Sequence, residues 1–158
     1  MAATTPSAVR RAVSARLEAL AAPVPGYGQD DAFAWRPVYV TDVESLGKDG
    51  QHRQHLAYML DDSEITYGNV SRLNSGEGAV MVAPLVLRFL YRQRPAMLQE
   101  DWDSAGDAAV AALSHLTSWD DADAQIAIED GGAIVREIID PTWILVTVDL
   151  TALYCVAI

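Results

Sequence analysis

The sequence predicts an α+β fold: a mixed or antiparallel sheet with long strands, packed by an N-terminal helix and one central helix. Two stretches, "VMVAPLVLRFLYRQRP" from Val80 to Pro95 and "WILVTVDLTALYCVAI" from Trp143 to Ile158, read as uninterrupted strands. Each far exceeds the usual strand length of about 5–6 residues. Two others, "TPSAVRRAVSARLEALAA" and "EDWDSAGDAAVAALSHL", repeat apolar residues at helical spacing. At 158 residues the chain has the size of one domain, 1–158, able to bury a core without disulfides or metals. Its composition, 51% hydrophobic and 21% charged, is that of a folded chain rather than a disordered one.

In chain order, Thr5 supplies an N-cap hydroxyl and Pro6 a first helical residue whose missing N–H costs nothing, so a helix is expected from Thr5 to about Ala22. Val9, Val13, Leu17 and Leu20 form its apolar stripe, and Pro23 and Pro25 mark its end. Aromatic and β-branched residues then argue for a strand from Phe33 to about Val40, which Pro37 confines to an edge or a bulge. "TDVESLGKDGQ" reads as a loop and "RQHLAYML", Arg53 to Leu60, as a second strand. The polar stretch from Asp61 to Gly78 reads as a long connection.

In the first long strand, Met81, Ala83, Leu85, Leu87, Phe89 and Tyr91 alternate toward the core. The other face carries Val82, Val86, Arg88, Leu90, Arg92 and Arg94, apolar at first and basic at its end. Pro84 donates nothing to a ladder and points to an edge or a register break. After Pro95 a helix is expected over 101–117, capped by Asp101 or Asp103, with Trp102, Ala105, Ala109, Leu113 and Leu116 on one face. "SWDDAD" reads as a turn, "AQIAIED" as a short strand, and Gly131-Gly132 as a tight hairpin before the strand Ala133 to Ile139. In the last strand Ile144, Val146, Val148, Leu150 and Tyr154 face the core, while Thr147, Asp149 and Thr151 interrupt the opposite face. At about 3.3 Å per residue that strand would span roughly 50 Å, against a radius of gyration of about 15 Å for a domain of this size. Both long strands are therefore expected to bend, at Pro84 and near Ala152, or to project toward another subunit.

A net charge of −11 disfavours binding to nucleic acid or an anionic membrane, because phosphates are neutralised by Lys and Arg. No stretch approaches the ~20 apolar residues of a membrane span, and arginines interrupt the alanines near the start, so no signal peptide is expected and the chain reads as cytoplasmic. The charges are uneven: Arg10, Arg11 and Arg16 lie near the start, and acids follow Arg94. These patches either pair between identical subunits or simply keep solvated faces soluble. The lone Cys155 excludes an internal disulfide and reads as a small buried hydrophobe.

No reaction is written in the residues. His52 and His55 have the spacing of a metal pair but no third ligand, and no CxxC accompanies them. His115 reads as a helix-end histidine. "SGEG" lacks the pattern and the following helix of a phosphate loop, and "SWDDAD" lacks the Gly and Glu of a calcium loop. Neither a GxSxG elbow nor an HExxH motif occurs. The chain is thus expected to be a structural protein rather than an enzyme, with no catalytic residue, cofactor or metal.

The order of elements resembles that of the tail terminator, or tail completion, proteins of tailed phages, gene transfer agents and phage-derived contractile injection particles. "APLVLRFLYRQRP", the helix "DWDSAGDAAVAALSHL" and the closing "WILVTVDLTALYCVAI" carry the resemblance. It implies a small α+β protein that forms a hexameric ring at the head-proximal end of the tail tube, in a tail assembled in the bacterial cytoplasm. The ring would stop tube polymerisation and join the neck, with the tube protein as partner and sheath and neck proteins as further neighbours. It also implies Arg88, Arg92 and Arg94 as interface residues. In a closed head-to-tail ring they could meet acidic positions such as Asp101, Asp103 and Asp149. Two alternatives remain open at this stage: a neck or head-completion adaptor, and a small-molecule-binding α+β domain built around His52, His55 and the Asp61–Gly78 connection.

Overall fold

A computed structural model describes residues 5–20, 35–37, 55–62, 70–72, 79–118, 120–121 and 126–156. Its elements are α1 (Pro6–Glu18), β1 (Arg36–Pro37), β2 (Ala57–Asp61), β3 (Val70–Arg72), β4 (Ala79–Arg92), α2 (Leu98–Thr117), β5 (Asp120–Asp121), β6 (Ile126–Asp140) and β7 (Trp143–Val156). The strands form one sheet in the order β1-β2-β4-β7-β6-β5, with β3 paired to β4. All pairings are antiparallel except β1 with β2, which is parallel. The arrangement is the α+β fold the periodicities predict.

The spine is the β4–β7 pair. Its register is unbroken from Ala79 opposite Val156 to Arg92 opposite Trp143. The register break expected at Pro84 does not occur, and each long strand pairs along its whole extent with the other. Pro84 is tolerated for a geometric reason. Within a strand the backbone groups of alternate residues point to alternate sides. The Leu90 carbonyl accepts from the Leu56 N–H and the Arg92 N–H is donated to His55 Nδ1, so the even-numbered residues of this end of β4 aim away from β7. Continued along the strand, that parity aims the nitrogen of Pro84 away from β7 too. There β3 pairs only as far as Met81 and β2 begins at Val86, so the missing donor falls between them.

One face of the sheet carries the core. Met81, Ala83, Leu85, Leu87, Phe89 and Tyr91 of β4 and Ile144, Val146, Val148, Leu150, Ala152 and Tyr154 of β7 are all buried, as the alternation requires. Both helices cover this face. α1 starts as the sequence indicates: Thr5 Oγ1 accepts from the Ala8 N–H and Pro6 follows it. Val9, Val13 and Leu17 are buried, with Leu20 packed at their margin. The helix ends at Glu18, and positions 21 and 22 lie outside the described residues. α2 buries Ala105, Ala108, Ala109, Ala112 and Leu116, with Trp102 and Leu113 against the core, and small side chains let it lie close to the strands. The opposite face is partly open at Val82, Val86, Arg88, Thr147, Asp149 and Thr151, but closed at Leu90, which is fully buried.

Several sequence expectations are corrected. α2 begins at Leu98 rather than near Asp101, and neither Asp101 nor Asp103 caps it, since the N-cap is Met97 with no side-chain hydrogen bond. Gly131-Gly132 is not a hairpin. β6 runs through it, and both halves pair with β7, Asp130 opposite Leu150 and Ile134 opposite Val148, so three residues bulge across from Asp149. A Cβ at Gly131 would sit 2.6 Å from the Asp149 backbone, and Gly132 has φ +106, which explains the two glycines there. The chain reverses at Pro141-Thr142 instead, after Asp140. The polar connection and the "SWDDAD" turn also contain short strands, β3 and β5. Of the strand expected over 33–40, only Trp35 to Pro37 is described; β1 ends the sheet path there, in keeping with Pro37. His52, Arg53 and "SGEG" lie outside the described residues.

Leu87, with no exposed surface, should be among the most sensitive positions. Leu87→Ala is expected to cost about 2–5 kcal/mol in equilibrium denaturation, whereas Val86→Ala on the open face should cost far less.

Candidate assembly surfaces

The residues expected at an interface fall into two groups. Arg88 and Asp61 sit diagonally across the β2–β4 pair and form a 3.0 Å ion pair on the open face. Arg94 and Asp101 are each other's partners inside the protomer. The Asp101 carboxylate is almost wholly buried and accepts from the Arg94 backbone N–H at 2.6 Å, from Nε at 3.1 Å and from Nη2 at 2.8 Å. Such charge-assisted, bidentate geometry is the strong form of the interaction. It locks the exit of β4 onto the first turn of α2. Arg92 and Asp103 are exposed, Asp103 accepting from Gln99 Nε2 at 3.0 Å, and Asp149 is partly exposed on the open face.

Further polar groups surround the Arg94–Asp101 pair. His55 is buried, accepts the Arg92 N–H at its Nδ1 and stands edge-on to Tyr91, with ring centroids 4.6 Å apart. The Gln93 N–H reaches the Thr142 carbonyl at 2.7 Å, tying β4 to the β6–β7 turn. Burial pushes the Tyr91 hydroxyl above its ordinary pKa, partly offset by a hydrogen bond with Ser104. Burial likewise raises Tyr154. These contacts are structural, and they hold His55 in a bonded, buried role unlike that of an accessible metal ligand. His115 Nε2 lies 3.1 Å from the Arg16 carbonyl, joining the end of α2 to α1. Cys155 is buried, as its apolar strand predicts.

The surface has a pronounced asymmetry. The large apolar side chains that are exposed among the described residues are Ile134, Val135 and Ile138 on β6 and Leu98 and Val110 on α2. Ile134 and Ile138 share the face of β6 that meets α2, and Val135 lies on the strand's other face. Leu98, Trp102, Gly106 and Val110 form an i, i+4 row on α2. Arg136 of β6 meets that row: its guanidinium lies 4.6 Å from the Trp102 ring centroid, donates to the Trp102 carbonyl at 2.9 Å, and would touch a Cβ at Gly106. Among the described residues β6 is also a sheet edge beyond its short pairing with β5, and residues 129–135 are all exposed. Exposed acids border the flank: Glu100, Asp103 and Asp107 on α2, Glu129, Asp130 and Glu137 on β6.

At the other side of the sheet, α1 presents the opposite sign. Arg10 and Arg11 are exposed and Arg16 partly so, with no acid in the first turn. The acids there are engaged. Asp62 lies 3.6 Å from Arg10, Asp61 pairs with Arg88, and Glu18 accepts from the Tyr58 hydroxyl, which also bonds the Ser14 hydroxyl. Among the described residues no three His, Cys, Asp or Glu side chains gather as a metal site, and no helix is long and apolar enough to cross a membrane. A cavity between α1 and β4, lined by Val9, Arg10, Asp62, Pro84 and Tyr154 among others, has a volume of about 10 Å³, room for little more than one water.

Sequence reasoning missed the exposed flank because Ile134 and Ile138 alternate as core residues do; the available signal was an apolar strand carrying both Arg136 and Glu137 beside a glycine pair. Compared with known proteins, the chain matches no family model and no curated protein.

Arg94→Ala would leave Asp101 charged, buried and without its guanidinium, a change expected to cost about 3–5 kcal/mol in denaturant unfolding. The raised tyrosines set an alkaline limit. Their neutral forms stabilise the fold fully below the ordinary pKa of 10.0, and that contribution is lost as pH rises from 10.0 through the folded values. The melting midpoint should therefore fall as pH climbs past 10, and Tyr91→Phe should flatten part of that fall.

Proposed function

We propose that this chain is a structural protein that assembles as a ring and caps the end of a phage or phage-like tail tube, ending tube growth and forming the joint to the neck. The observation that carries the reading is the set of exposed apolar side chains on β6 and α2. Exposed contiguous apolar surface marks a site of association, and an unpaired strand edge is a template for pairing with another chain. The element order from the long strand β4 through α2 to β7 resembles that of tail terminator proteins, which gives the association its proposed form. In this reading the partners are further copies of the chain, six to a ring, and the tube protein.

The reading tightens the set of interface residues. Arg88, Arg94 and Asp101 are engaged within the protomer, so they act by holding the fold; Arg92, Asp103 and Asp149 remain the polar positions available to a neighbour. The acidic balance, −11 overall, agrees with a protein that contacts other proteins rather than nucleic acid.

Light scattering on the purified protein, with negative-stain images, tests the proposal. The expected result is a closed ring of about six copies, formed alone or when tail tubes are added and seated at tube ends. A chain that stays a monomer in both conditions, and never sediments with tubes, would overturn it.

A further inference from the structure

We infer that the ring closes head to tail through two named surfaces: the acidic-rimmed apolar flank of β6 and α2 on one protomer receives the basic face of α1 on the next copy. This deepens the ring proposal and rests on it. The occupant is a second copy because the two flanks complement each other in charge and lie at opposite sides of one chain.

On the receiving flank, Ile134 and Ile138 stand on either side of Arg136, and Val135 is 54% exposed on the strand's other face. Arg136 is held against the Trp102 ring and carbonyl, and its single positive charge is outnumbered by the acids around it. The rim of Glu100, Asp103, Asp107, Glu129, Asp130 and Glu137 is thus acidic. On the donating face Asp62 is paired with Arg10, and Glu18 accepts from Tyr58 while keeping its charge, so the three arginines Arg10, Arg11 and Arg16 outnumber the two acids. Sheet order sets the geometry. α1 lies over β2 and β4, bonding Tyr58, while β6 is on the far side of β7. Two different surfaces at opposite sides make a heterologous contact, which closes into a ring or runs on as a filament. Self-pairing of β6 edges is disfavoured by charge: in the antiparallel register that sets Ile134 against Ile138, Arg136 faces its own copy.

The test uses two variants of the full chain. One carries Val135→Asp and Ile138→Asp; the other carries Arg10→Gln and Arg11→Glu. Each should retain wild-type circular dichroism and lose the ring, leaving the 17.1 kDa monomer. Mixed in equal amounts they should form a dimer of twice that mass and grow no further, because each supplies the one surface the other lacks. If the aspartates unfold the chain, Val135→Thr with Ile138→Thr preserves β-branching and should still weaken assembly. A ring that survives both variants overturns the inference and leaves the ring proposal standing, as does loss of assembly in the β6 variant alone. A wild-type dimer or filament abolished by both variants, with a dimer restored on mixing, supports the two surfaces and overturns the ring. A wild-type monomer under every condition overturns both.

Discussion

The antiparallel ladder between β4 and β7 is the constraint on which the rest of the structure depends. Because it runs without a shift, the alternation of each strand is converted into one continuous apolar face, and both helices are positioned by that face. The remaining strands attach to its two sides, β2 and β3 to β4, β6 to β7. The ladder accommodates strands of 14 residues in so small a protein: each pairs with the other along its whole length through alternate residues, and β2, β3 and β6 take up groups on the outer sides.

The charges follow the same division between interior and surface. Where β4 leaves the sheet, Asp101 is buried and takes three hydrogen bonds from Arg94. The pair is a local clamp that fixes the angle at which α2 starts, and it consumes charges that the sequence alone would offer to a partner. Arg88 and Asp61 do the same on the open face. What remains unspent is unevenly placed, acids around β6 and α2 and arginines on α1, so the protomer is a polarised object even though its net charge has one sign.

Much of this was legible in the sequence, for reasons that differ by element. β4 and β7 could be read because a half-buried strand must alternate, and Thr5-Pro6 because its capping chemistry is local. The start of α2 misled because Asp101 has the composition of a cap while its carboxylate answers to Arg94. Gly131-Gly132 misled because a glycine pair serves a bulge as readily as a turn; Asp-Pro-Thr at 140–142, with Pro at the second turn position, was the stronger reversal signal. β3 and β5 are too short to show any period. The apolar flank was hidden because periodicity reports which residues share a side, and only the structure shows which sides are covered.

Pro84 has a consequence beyond its own missing hydrogen bond. β2 and β3 share one side of β4, each holding a separate stretch of it. A strand sliding from either end would have to pair with a residue that offers no donor. The proline is therefore a fixed stop between the two strands, keeping each in its own half of the long strand. In that way a residue that weakens sheets elsewhere gives this one its alignment.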